Sequence, residues 1–217
     1  METEDQQLED LKKWWKENGS SIITGVVLGL AILFGTRSWF AWQERTAQNA
    51  SLIYSVMMRE ADSGDTRVAS ENAATLIADF SGTPYASIAA LLLARYRIED
   101  NELEAAKAQL QWVLDNESSD ELRAIASVRL ARVLVSLADY DGALALLDAV
   151  EKDGSQQGIV SEIRGDIYSQ RGDSQRAVDA YSEALLLLPA GSPGRNVVLL
   201  KYDDVLAMLA PAEDQPQ

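Results

Sequence analysis

From residue 18 to residue 36 the chain carries no charged side chain, and apolar positions succeed one another without amphipathic interruption. Beyond Arg37 the apolar character resumes as WFAW at residues 39–42. As a helix, residues 20–42 would rise roughly 34 Å, enough to cross a hydrocarbon layer about 30 Å thick. A cleaved signal peptide has a shorter apolar core and ends in small residues; here bulky aromatics occupy the far flank. Four of the five tryptophans bracket the stretch, Trp14 and Trp15 before it and Trp39 and Trp42 after it. Indoles favour the headgroup level, where one side of the ring is dry and the other wet. The pattern predicts a lipid-embedded transmembrane helix over 20–42 rather than a buried helix of a soluble domain. Arg37, near its outer end, can extend its stem to the headgroups.

After residue 42 the pattern changes. Apolar residues recur at i, i+3, i+4 and i+7, as in IASVRLARVLVSLA, and no alternating strand-type run appears. Polar turns interrupt the pattern: DSGDT, SGTP, EDNE, DNESSD, DYDG, KDGSQQG, QRGDS and PAGSPG. Thr83 before Pro84 is a helix-start signal, and Ser118 with Glu121 reads as a capping box. The predicted product is a train of helices of about 12–16 residues, an all-α antiparallel stack.

The helices repeat. In the unit spanning residues 158–191, Gly165 and Tyr168 fall in a first helix, Ala177, Tyr181 and Ala184 in a second, and Pro189 closes it. This is tetratricopeptide spacing, in which small residues let paired helices approach and aromatics fill the space beside them. Thirty-four residues earlier stand Ala131, Ala143 and Leu147, and thirty-seven earlier again stand Ala94, Ala106 and Leu110. A degenerate first unit is expected from about Ala47 to Phe80, and a capping helix from about Asn196 to Leu209. The fold class is therefore all-α: a single N-terminal transmembrane helix followed by a tetratricopeptide-like helical-repeat solenoid. The segments expected are a 1–19 tail, a 20–42 transmembrane helix, a 43–210 repeat domain and a 211–217 flexible tail.

Charge narrows the functional classes. The chain has 19 Lys and Arg against 34 Asp and Glu, a net charge of −15. Such a surface repels phosphate backbones, so no nucleic-acid partner is expected. Cys and His are both absent. Thiolate chemistry, the commonest general base and the commonest metal ligand go with them, and we expect no catalytic residue, metal or cofactor. A carboxylate-based hydrolase remains as an alternative, without a motif to support it. DYDG and DNESSDE do not extend into a calcium-binding loop. RGD occurs at residues 164–166 and 171–173, the first within a helix and the second at a turn.

Two features bear on placement. Lys12, Lys13 and Lys16 precede the apolar segment, while Arg37 and Arg45 follow it. The excess favours a cytoplasmic N-terminus and a repeat domain outside; a cytoplasm-facing adaptor is the alternative. Gly25 and Gly29 form a GxxxG pair that would let a second membrane helix approach closely; the alternative is that glycine is simply frequent in membrane helices.

Repeat arrays bind partners in the groove lined by their first helices. By position the candidates are Ile88, Leu91, Arg95 and Ile98, then Ile125, Val128, Arg132 and Val135, then Ile159, Glu162, Asp166 and Ser169. Apolar residues interspersed with arginine suit an extended peptide, because a guanidinium can pair bidentately with a carboxylate. The alternative for each is that the apolar residues pack on a neighbouring helix and the arginines pair with surface carboxylates.

Several stretches together resemble a known family: ENG at 17–19, GVVLG at 25–29, Arg37 with Trp39, NELEAAKAQL at 101–110, LRAIASVRLARV at 122–133 and RGDIYSQRGD at 164–173. The chain is similar to the YfgM family, ancillary subunits of the SecYEG translocon of Gram-negative bacteria, over essentially its whole length. The resemblance implies a single-pass inner-membrane protein whose C-terminal domain is periplasmic. It implies association with SecYEG and with a PpiD-type periplasmic chaperone, and contact with nascent or unfolded secretory polypeptides.

Overall fold

The computed structural model describes residues 4–150 and 156–209; the expected 211–217 tail lies outside the described residues. Among the described residues every regular element is an α-helix. The chain separates into two compact units, residues 1–51 and 52–217.

In the first unit α1 (Glu4–Ser63) runs without a break through the expected tail and membrane segment. Its apolar side chains, from Ile23 to Phe40, are exposed. Its threonine hydroxyls bond within the helix: Thr24 Oγ1 donates to the Ser20 carbonyl at 2.8 Å and Thr36 Oγ1 to the Ile32 carbonyl at 2.9 Å. A helix that satisfies its own polar groups can shed water without leaving donors orphaned. Trp39 and Trp42, one turn apart, stack obliquely with centroids 5.6 Å apart.

The second unit begins in the last turns of α1 and continues through α2 (Thr66–Asp79), α3 (Pro84–Glu99), α4 (Leu103–Asn116), α5 (Asp120–Ser136), α6 (Tyr140–Asp148), α7 (Gln157–Gln170), α8 (Ser174–Leu187) and α9 (Pro193–Leu209). From α2 onward consecutive helices pack on one another, and α5 also touches α3 and α7. With nine residues, α6 is shorter than the periodicity predicts.

The turn inside each helix pair is built the same way four times. Gly64, Asn101, Ala138 and Gly172 hold φ of 85°, 59°, 60° and 75°. The next residue's amide donates back five positions: Asp65 to Glu60, Glu102 to Arg97, Asp139 to Leu134 and Asp173 to Tyr168. This is the Schellman closure, in which a left-handed residue lets the chain satisfy a helix's last carbonyls. Three of those next residues then cap the following helix: Asp65, Asp139 and Asp173 accept the amides of Val68, Gly142 and Arg176. Glu102 does not cap α4, because its carboxylate pairs with Arg97 at 2.6 Å. The recurrence places the end of α1 with α2 in the same register as the later pairs.

The core follows the repeat. Ala94 and Ala131 at one register, Ala106, Ala143 and Ala177 at the second, and Leu110, Leu147 and Tyr181 at the third are all buried. Gly165 takes the place of Ala94 and Ala131 because Tyr181 leaves no room: a Cβ there would run into the tyrosine ring. Tyr54 of α1 and Tyr85 of α3 add a ring contact at 5.1 Å.

Thr83 caps α3 with Pro84 in its first turn, as predicted, although its hydroxyl donates to Phe80 and not into the helix. The Ser118 capping box does not form. The Glu117 carboxylate takes both the Ser118 and Ser119 amides at 2.8 Å, so α5 starts one residue later, with Ser119 as its cap. Helix α9 buries Val198 and Val205 against α8. Its other sides expose Val197, Leu200 and Met208 together with Asn196, Asp203 and Asp204, a mixed apolar and polar surface.

Candidate functional site

The groove candidates divide into three groups. Leu91 and Val128 belong to the core, at 7% and 4% exposure, so the expectation that they face a partner is corrected. Ile125, Val135 and Ile159 are half-buried against that same core, and Ile88 and Ser169 are half-buried on their own helices. The third group carries charge or an open surface: Arg95, Ile98, Arg132, Glu162 and Asp166.

Arg95, Ile98 and Arg132 come together. With Arg129 they line a pocket of about 420 Å³ between α3, α4 and α5, floored by Ala94, Leu103 and Val133. Ile98 is 40% exposed there. Arg95 Nε donates to Glu99 at 3.0 Å, one turn along its own helix, and Arg132 Nη2 donates to Glu162 at 2.9 Å. Arg129, absent from the sequence-based candidates, makes no hydrogen bond or ion pair among the described residues; its position one turn before Arg132 was the signal for it.

Glu162 and Asp166 form a different arrangement. Glu162, 8% exposed, lies between Arg132 of α5 and Lys201 of α9. Lys201 also reaches Asp166 at 2.9 Å, and the Tyr181 hydroxyl donates to Asp166 at 2.7 Å. Burial alone would lower the Lys201 ammonium, but its bonds to the two carboxylates outweigh that and hold it above the usual lysine range. Burial and the bond to Asp166 push the Tyr181 hydroxyl upward too. The network ties α5, α7, α8 and α9 together, so Asp166 is internally engaged. Lys201 was missed because its partners lie thirty-five and thirty-nine residues away in sequence.

In the first unit, a Cβ added at Gly25 or Gly29 would meet nothing within 4 Å among the described residues beyond the helix's own backbone. Trp14, Trp15, Arg37, Trp39 and Trp42 are exposed. Within Leu11–Ser63 lies a stretch with mean hydropathy 1.8 and 6% of its residues buried, long and apolar enough to cross a membrane.

A bare apolar helix leading into stacked helix pairs with repeated Schellman turns defines a helical-repeat scaffold of the tetratricopeptide class. The tetratricopeptide repeat-like domain family matches residues 12–207. A protein of Escherichia coli is 37% identical over 180 residues, covering 83% of this chain and 86% of its own. One of Haemophilus influenzae is 32% identical over 83% of this chain and 88% of its own, and one of Neisseria gonorrhoeae 28% over 93% and 97%. All three are named ancillary SecYEG translocon subunit. The chain belongs to that family, the one its sequence resembles.

Proposed function

We propose that the protein is a membrane-anchored, non-enzymatic interaction module. Residues 20–42 cross the inner membrane, residues 1–19 stay in the cytoplasm, and the repeat domain stands on the periplasmic face. There it associates with SecYEG and with a PpiD-type chaperone and assists polypeptides as they leave the translocon. The observation that carries this reading is an uncovered apolar helix joined to a repeat scaffold, in a chain whose relatives bear the translocon subunit's name. The lysine excess before the helix supports the orientation. The lack of Cys and His supports a role in contact rather than catalysis. The exposed apolar side chains of α9 offer a surface that a partner would cover.

The test is protease treatment of intact spheroplasts and of inverted vesicles. The repeat domain should be degraded in spheroplasts and protected in inverted vesicles. The reverse pattern would turn the module to the cytoplasm. SecYEG and the chaperone should co-purify with the solubilised full chain; their absence from the purified material would overturn the partner assignment.

A further inference from the structure

We propose that the pocket between α3, α4 and α5 receives an extended segment of a partner polypeptide that presents a carboxylate beside an apolar side chain. This deepens the interaction-module reading and rests on it for the partner being a polypeptide.

The charge distribution singles the pocket out. Residues 46–217 hold fourteen cationic and twenty-seven acidic side chains, a net −13. Three of those fourteen cations, Arg95, Arg129 and Arg132, line this one pocket, against one lining carboxylate, Glu99, and one beside it, the Glu162 that pairs with Arg132. An anionic ligand repelled by the rest of the domain is attracted here. The arginines also keep donors to spare. A guanidinium has five N–H groups in a planar fork. Arg95 directs Nε to Glu99, Arg132 directs Nη2 to Glu162, and Arg129 directs none to a described residue. Arg129 and Arg132 come from α5 and Arg95 from the neighbouring α3, so the forks converge from two helices.

The repeat register confines this chemistry to one place. Arg95 and Arg132 occupy the same position in successive units, and Asp166 occupies it in the next. Asp166 is closed off by Lys201 and Tyr181. Beneath the arginines, Ala94, Leu103 and Val133 give an apolar floor beside the partly open Ile98. About 420 Å³ holds one or two side chains. That size, which leaves no room for acyl chains beside a headgroup, favours a peptide side chain over a lipid.

The test uses the full chain in detergent micelles and a short fluorescent peptide alternating leucine and glutamate, read by anisotropy. The peptide should bind about tenfold more tightly than its leucine–glutamine counterpart, and added salt should weaken it. Arg129→Ala should weaken it by about tenfold with an unchanged melting temperature, Arg129→Glu should abolish it, and Arg129→Lys should retain part of it. Equal binding of the glutamine peptide, or full binding by Arg129→Ala, overturns the proposal. So does binding of phosphatidylglycerol vesicles with no binding of the peptide. If the peptide fails while SecYEG still co-purifies, only the pocket assignment falls; if the peptide binds while co-purification fails, only the partner assignment falls.

Discussion

Lys201 Nζ lies 2.9 Å from Glu162 Oε1, joining the last helix of the array to α7 across thirty-nine residues of chain. Glu162 is nearly buried, so its charge depends on this lysine and on Arg132. Lys201→Met should destabilise the repeat domain by about 1–3 kcal/mol, because two carboxylates lose their shared cation. Arg132→Met should cost less, since that guanidinium is half exposed and Lys201 remains. Chemical unfolding of the full chain in detergent, followed by Trp112 fluorescence, gives both values.

The same network sets the alkaline limit. A lysine whose folded pKa lies above its unfolded value contributes stability fully below the unfolded pKa and loses it as pH rises through the folded one. Tyr181 acts in the same direction, because above pH 10 the unfolded tyrosine releases a proton that the folded one keeps. Stability should therefore fall as pH climbs above about 10, and Lys201→Met with Tyr181→Phe should flatten that fall. An unchanged slope in the double variant would remove the network from the account.

At the acid end the Glu117 carboxylate is the group to follow. Burial raises it, but the Ser119 amide, the Ser87 hydroxyl and the Ser118 amide together hold it below the usual glutamate range. A depressed carboxylate stabilises above its unfolded pKa and loses that contribution as pH falls through its folded value. Glu117→Gln should lower stability at neutral pH and leave a shallower decline between neutral and acid pH, as read by denaturant midpoints at each pH.

The four left-handed turn residues give a prediction of opposite signs. Ala138 holds φ 60°, a conformation that costs a residue with a Cβ roughly 1 kcal/mol, while Gly172 holds φ 75° without that cost. Ala138→Gly should stabilise and Gly172→Ala should destabilise, each by about 1 kcal/mol. Thermal unfolding of the two variants beside the parent checks both.

These turns also show what the sequence could disclose. The register of Ala94, Ala131 and Gly165 was legible because small residues at a fixed spacing are a steric requirement, and the three are buried as that spacing implies. The first repeat was harder to place, since its signal is a left-handed residue followed by an acid: Gly64–Asp65, Asn101–Glu102, Ala138–Asp139 and Gly172–Asp173. Three residue types share that backbone role, so the composition hides it. Leu91 and Val128 were misplaced because α3 and α5 are packed on more than one side. A period of 3.6 finds a helical stripe but does not say whether solvent or a second helix faces it. Lys201 and Arg129 lay beyond local pattern altogether, since their meaning depends on which helices become neighbours.

Gly165 and Tyr181 form a matched pair that can be exchanged. Elsewhere in the array the same two positions hold Ala131 with Leu147, and Ala94 with Leu110. Gly165→Ala alone drives a methyl into the Tyr181 ring and should cost about 1–3 kcal/mol. Adding Tyr181→Leu removes the clash and recreates the pairing of the other units. The double variant should therefore recover about 1 kcal/mol relative to the sum of the singles, despite losing the tyrosine's bond to Asp166. Strict additivity would mean that the glycine is kept for another reason.

Gly25 and Gly29 test the membrane helix in a way the repeat domain cannot. Among the described residues, and apart from the helix's own backbone, nothing lies within 4 Å of where their side chains would begin. Replacing both with leucine should leave the melting behaviour of the repeat domain unchanged and keep the chain in the carbonate-resistant membrane fraction, since the apolar length is preserved. If the pair serves as a contact face, leucine holds a neighbouring helix away by the bulk of its side chains, and the close approach that small residues permit is lost. Co-purification of membrane partners with the solubilised double variant should then fall sharply, while Ala at both sites should give an intermediate yield. Equal recovery from the parent and the leucine variant would show that the two glycines serve no interhelical contact and that recognition resides in the repeat domain.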